Sequence, residues 1–188
     1  MLRADAAGSV LGPNLRDVAS PVTVRPRTPH DVPALVAVLT AQQPASGYPV
    51  RWPLPFPVEE FVVRRGELGA WVVTVDGGVA GHVALLHPAT GWEADAFTGT
   101  TGEPVGRLAA VSTLFVDQDR RGLGLGTRLL DAAVAHARAL DRVPVLDVVQ
   151  EHSVAADLYR RRGWRVVGEV RPHWLPADRA PVLVMTLP

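Results

Sequence analysis

The sequence predicts one α/β domain, a mixed sheet covered by helices. Two observations carry this. Strand-like and helix-like stretches interleave along residues 21–188 in the order β-α-α-β-β-β-α-β-α-β-β, which calls for helices layered on a sheet. In "AWVVTVDGGVAGHVALLHP" (70–88), two β-branched runs flank "DGG". That is a tight-turn hairpin, so part of the sheet is antiparallel.

The elements follow in order. Residues 1–20 lack the unbroken apolar core of a secretory signal and read as a flexible leader. "PVTVRP" (21–26) is a short strand. "HDVPALVAVLTAQQ" (30–43) spaces Val32, Leu35, Val36 and Leu39 as a helix does, with Pro33 tolerable in the first turn. "PASGYPVRWPLPFP" (44–57) is too proline-rich for a helix interior and reads as a loop. "VEEFVVRRGEL" (58–68) reads as a short helix ending near Gly66. After the hairpin, "ATGWEADAFTGTTGEPVG" (89–106) reads as a Gly/Thr-rich excursion with acidic residues. "RLAAVSTLFVD" (107–117) is a strand. "GTRLLDAAVAHARAL" (126–140) puts Leu129, Leu130, Ala133, Val134, Ala137 and Leu140 on one helical stripe. "VPVLDVVQ" (143–150) is a strand, and "SVAADLYRRRG" (153–163) is a helix stopped by Gly163. "WRVVGEVRP" (164–172) and "APVLVMTLP" (180–188) are the last strands.

Composition narrows the function. Hydrophobic residues make up 47% and charged ones 20% of the 188 residues, the balance of a soluble globular domain. Acidic and basic residues number 19 each, which argues against a bulk nucleic-acid or anionic-membrane binder. No apolar run approaches the ~20 residues of a membrane span. All basic residues except the histidines are arginine, a usage that points to a GC-rich, bacterial genome. Without lysine there is no Schiff base and no P-loop lysine. Without cysteine there is no disulfide, thiol nucleophile or Cys-ligated zinc. The histidines show no metal-ligand spacing, so no metal is expected. A cytoplasmic location is expected.

The most informative stretch is "FVDQDRRGLGLGTRLL" (115–130), a glycine-dense turn between a strand and a helix. A P-loop is excluded by the missing lysine. A G-x-G-x-x-G fingerprint fails, because its third glycine would fall on Thr127 or Leu129. The pattern that fits is Arg-x-x-Gly-x-Gly, from Arg121, Gly124 and Gly126. Such a turn presents backbone N–H groups at a helix N-terminus, where the dipole favours an anion such as pyrophosphate. Glycine leaves no Cβ in the way, and Arg121 adds a charge-assisted contact. The alternative is a turn that needs glycine for packing alone.

With "VLDVV" (145–149) and "HSVAADLYRRRGW" (152–164), this stretch resembles the GNAT N-acetyltransferase superfamily. The resemblance is strong over about 107–187 and rests on element order before that. It implies a mixed, mostly antiparallel central sheet with splayed middle strands and helices on both faces. It implies transfer of the acetyl group of acetyl-CoA to a primary amine of a small molecule, peptide or protein. Leu114, Phe115 and Val116 would pair through their backbone with the pantetheine arm. Arg121, Gly122, Leu123, Gly124, Leu125, Gly126 and Thr127 would cradle the pyrophosphate. His152 and Ala155 would line the cofactor. Tyr159 would protonate the departing thiolate, its ordinary pKa of about 10 keeping it protonated at neutral pH. Tyr48, Trp52, Trp92 and Trp174 would line an acceptor pocket built from 44–57, 89–106 and 172–180. A monomer or homodimer is expected.

Two positions depart from the family's pattern. His152 stands where many members have Asn. Ala109, Ala110 and Val111 stand where many have a glutamate base. Candidate bases are therefore Glu93, Asp95, Asp147, His82 and His87. The missing carboxylate leaves a rival reading, an acyl-CoA sensor or regulatory module without turnover. A third reading takes the turn as the site of another nucleotide phosphate.

Overall fold

The computed structural model describes residues 21–88, 91–120, 122–150 and 153–188. The expected leader 1–20, Arg121 and His152 lie outside the described residues. The strands are β1 (Val22–Pro26), β2 (Glu67–Val75), β3 (Gly78–Leu86), β4 (Leu108–Val116), β5 (Val143–Val148), β6 (Arg165–Val170) and β7 (Val182–Thr186). The helices are α1 (Val32–Ser46), α2 (Val58–Val62), α3 (Trp92–Thr101), α4 (Leu125–Ala139) and α5 (Ser153–Arg161). Among the described residues, no helix is long and apolar enough to cross a membrane.

The strands form one sheet in the order β1-β2-β3-β4-β5-β7-β6. Only β4 and β5 run parallel; the other neighbours are antiparallel. The expected hairpin is β2–β3, turning at Asp76 and Gly77 with φ of 53° and 79°. Positive φ at both central residues is the turn geometry whose twist matches paired strands.

Helices cover both faces. On one, α4 and α5 bury Leu129, Ala133, Ala156 and Tyr159 against Val73, Val83, Leu85 and Met185. On the other, α1 and α2 pack Leu35, Leu39 and Val62 on Val72 and Phe115. Beside them, Phe97 of α3 packs on Leu108, Ala110, Val145 and Val184.

Four sequence readings need correction. The 44–57 segment is not all loop: α1 runs on through Pro44 to Ser46. The 89–106 excursion contains a helix, α3. Its Thr- and Gly-rich composition is a poor helix former, but tertiary packing overrides propensity. Phe97 is buried in the core, and the hydroxyls of Thr98, Thr100 and Thr101 donate to carbonyls four residues back at 2.6–2.7 Å. The 58–68 helix is short: α2 stops at Val62, and Glu67 already belongs to β2. Leu140 leaves the α4 stripe, being 42% exposed just past the helix end.

The bearing of the sheet on the site lies between β4 and β5. They pair only at Leu108↔Val143, Ala109↔Pro144 and Ala110↔Val145. Both strands then continue, β4 to Val116 and β5 to Val148, without further pairing among the described residues. The strands part into a notch, as expected for splayed middle strands.

Candidate active site

Four elements converge on the notch. The first is the upper half of β4. Asp117 donates its N–H to Ala80 O on β3 at 2.8 Å. Peptide groups alternate between strand edges, so those of Val116 and Leu114 point from the opposite edge, into the notch. The Phe115 side chain is 4% exposed and packed under α1 and α2. Of the expected pantetheine contacts, Leu114 and Val116 thus have the open backbone, and Phe115 anchors the strand.

The second is the glycine turn. Gly122 and Gly124 have φ of 83° and 68°, a region that favours glycine. A Cβ at either would meet nothing within 4 Å, so both face open space. Gly124 precedes α4, and no side chain caps it. The first helical bond runs from Arg128 N–H to Gly124 O at 3.1 Å. The amides of Leu125, Gly126 and Thr127 therefore stand ahead of the ladder. Gly126 differs: its φ is not positive, and a Cβ there would make ordinary contact with Leu158 of α5 at 3.5 Å. Glycine at 126 is not required by the fold. These features fit an anionic cofactor approaching the backbone closely.

The third is α5. Ala155 packs on the core, and Tyr159 is buried with its ring 5.8 Å from that of Trp164. Burial, and next the Asp147 carboxylate, push the Tyr159 phenol above its ordinary range. Such a group holds its proton. It can donate a hydrogen bond to a developing thiolate, but full transfer to a thiolate runs uphill.

The fourth is a carboxylate pair that no single sequence window joins. Asp147 lies on β5 just beyond Val145, the last residue paired to β4. It keeps some solvent exposure while protein atoms crowd its carboxyl, as on the floor of a cleft. Burial, and next the neighbouring Glu93 in the first turn of α3, push its pKa up to about 7. Burial also raises Glu93, against the opposing charge of Arg64. Tyr48 feels burial first and then Tyr159 and Asp147, all raising its phenol. Asp147, Glu93, Tyr48, Tyr159 and Arg64 thus share one electrostatic neighbourhood.

The other candidate bases have different surroundings. Asp95 is exposed. His87 sits at the closed end of β4, its Nδ1 3.3 Å from Arg142 Nη1, which also donates to Leu108 O. His82 is fully buried, and burial holds it down to about 3.

The three expected acceptor segments do meet. Trp92 of α3 and Trp174 pack edge to face with centroids 6.1 Å apart. Val50, Arg51, His173, Trp174 and Pro176 line a cavity of about 400 Å³.

Comparison with known proteins agrees with this geometry. The profile of the Acetyltransferase (GNAT) family matches residues 35–164. The chain belongs to the GNAT acetyltransferase family. A mycothiol acetyltransferase from Cellulomonas flavigena is 34% identical over 118 residues, covering 59% of this chain and 32% of that protein. The chain thus spans about a third of that relative's length. An N-acetyltransferase from Staphylococcus aureus Mu50 shares the fold, with a TM-score of 0.67 and 18% identity over 89% of this chain and 97% of that one. So does yncA of Salmonella typhimurium, solved with its cofactor acetyl-CoA, with a TM-score of 0.62 and 18% identity over 88% and 91% of the two chains.

Proposed function

We propose that this chain is an acetyl-CoA-dependent N-acetyltransferase acting on a primary amine, with residues 21–188 as one catalytic unit. The reading is supported above all by the notch. An open strand edge, a helix N-terminus facing open space, a tyrosine and a carboxylate pair surround one opening. The solved relative holding acetyl-CoA supports the choice of cosubstrate. A cytoplasmic, bacterial enzyme acting as a monomer or homodimer belongs to the same reading.

In this reading the α4 amides and Arg121 hold the pyrophosphate, and the Leu114 and Val116 peptides hold the pantetheine arm. His152 and Ala155 flank the cofactor. The amine nitrogen attacks the thioester carbon, forming C–N as C–S breaks. Asp147, paired with Glu93, takes the proton that the amine loses. A carboxylate with a pKa near 7 suits a base at neutral pH. Tyr159 donates a hydrogen bond to the departing sulfur. Trp92, Trp174, Tyr48 and Trp52 wall the acceptor side.

The test is release of free thiol from acetyl-CoA with a panel of primary amines. Turnover with at least one amine is expected. Tight acetyl-CoA binding with no turnover across the panel would instead favour a sensor. Preference for ATP or NAD over acetyl-CoA would favour another nucleotide.

A further inference from the structure

β4 does not run regularly into the notch. Its register with β3 is Gly81↔Val116 and His82↔Phe115, then Ala84↔Ser112. Val83 therefore faces two residues, Thr113 and Leu114, which is a β-bulge on β4. Thr113 is 3% exposed and has φ of +48°. A β-branched residue there is a backbone outlier that its surroundings must hold in place. The bulge also resets which face each side chain takes. Ala109 and Val111 face α4 before it; Leu114 and Val116 do so after it, with Phe115 opposite. The bulge therefore decides which peptide groups reach the notch.

The group that holds Thr113 is His82. Its Nδ1 lies 3.1 Å from Thr113 O and 3.3 Å from Thr113 Oγ1. Its Nε2 lies 3.1 Å from Arg27 Nη1. Arginine only donates, so Nε2 accepts and Nδ1–H donates to Thr113. The imidazole is neutral by this arrangement, and burial and Arg27 both act in the same direction. Arg27 is fixed in turn. It makes a two-point ion pair with Glu67 at 2.6 and 3.0 Å and donates to Val62 O at 2.8 Å. Glu67 Oε1 also accepts the Arg64 N–H at 2.9 Å. The result is a polar chain from half-buried Glu67 of β2 through Arg27 and buried His82 of β3 to the bulge of β4.

We propose that Glu67, Arg27 and His82 are positioning residues for the acetyl-CoA strand: they hold the Thr113 bulge and so aim the Leu114 and Val116 peptides into the notch. The proposal rests on the acetyltransferase reading for its kinetic consequence. Its structural core is independent of that reading.

The experiment compares His82→Leu with His82→Gln, since a glutamine amide can both accept from Arg27 and donate to Thr113. With folding verified by circular dichroism, H82L should raise KM for acetyl-CoA and lower kcat/KM about a hundredfold, the scale of a ~1 Å misplacement. KM for the amine should stay within about twofold, and H82Q should recover most of the loss. In protein without cofactor, amide hydrogen exchange over 113–117 should quicken in H82L and return in H82Q. A folded H82L with wild-type acetyl-CoA kinetics and wild-type exchange would overturn the proposal. If H82L does not fold, Glu67→Gln decides by the same readouts, and no change in either would overturn it. Wild-type protein that neither binds nor turns over acetyl-CoA would defeat the acetyltransferase reading, while the exchange comparison would still test the bulge.

Discussion

Ala110 and Val145 are the last partners that β4 and β5 share. Above them β5 carries Asp147 and β4 carries its bulge at Thr113, so the parting of two parallel strands opens the notch with both of them beyond the last shared pair.

Asp147→Asn should lower kcat/KM by about 10²–10⁴-fold, the usual worth of a general base. In the wild type, kcat/KM should rise with pH through an apparent value near the pair's pKa of about 7. That limb should vanish in D147N. Glu93→Gln removes the charge that raises Asp147, so the limb should move to lower pH. A D147N profile identical to wild type would remove Asp147 from the chemistry.

The same carboxylate links stability to pH. Its folded pKa, about 7, lies above the unfolded value of about 4. The native state therefore holds a proton that the unfolded chain releases in this window. Stability from Asp147 falls as pH rises from about 4 to about 7. D147N should have a higher Tm than wild type at pH 7.5 and nearly the same Tm at pH 4, read by thermal melts across that range.

Tyr159→Phe keeps the packing on Trp164 and removes the hydroxyl. It should lower kcat about a hundredfold, as when one transition-state donor is lost, with KM for acetyl-CoA little changed. An unchanged kcat would show that the hydroxyl is idle.

Gly124→Ala and Gly126→Ala should separate backbone strain from ligand approach. At Gly124 a side chain is strained by φ of 68°, and about 1 kcal/mol of stability should be lost. At Gly126 a methyl makes only ordinary contact within the first turn of α4, so Tm should hold or rise slightly. Both variants should weaken acetyl-CoA binding, measured by calorimetry. G126A with wild-type affinity would mean that nothing approaches that turn.

Asp31 gives a prediction away from the site. It is 5% exposed, bound to Arg25 at 2.6 and 2.8 Å, and accepts from the Thr28 N–H at 2.7 Å. Arg25 foremost holds its carboxyl below the usual range. That stabilisation is present above the unfolded pKa of about 4 and fades as pH falls. Asp31→Asn should cost about 2 kcal/mol at pH 7 and progressively less in acid, followed by urea unfolding.

The glycine turn and the α5 helix of the candidate site were legible as elements because their residues are local. The Gly122–Gly126 turn and the helix bearing Ala155 and Tyr159 each occupy one window with its own periodicity. The influence of Glu93 on Asp147 was not, since the two come within electrostatic reach only when α3 docks on the sheet. α3 itself was hidden because Thr98, Thr100 and Thr101 weaken its helical signal and Phe97 repays them only after docking. The position of β7 between β5 and β6 was equally hidden, because strand alternation fixes faces and says nothing of neighbours. The bulge left one trace, a valine-to-threonine stretch within 107–117, and nothing in it announced φ of +48° at Thr113.

Among the described residues, the strand order leaves β1 and β6 with one side unpaired each, and an unpaired strand is a template for aggregation. The two edges refuse strangers differently. β1 is short and ends in Pro26, which offers no N–H. β6 shows Val166 and Val167 to solvent at 45% and 36%, yet its register breaks between Val166 and Gly168. Arg165 and Glu169 flank that break. Among the described residues, the sheet thus opens at its centre between β4 and β5 and carries a shortened strand at one rim and an interrupted one at the other.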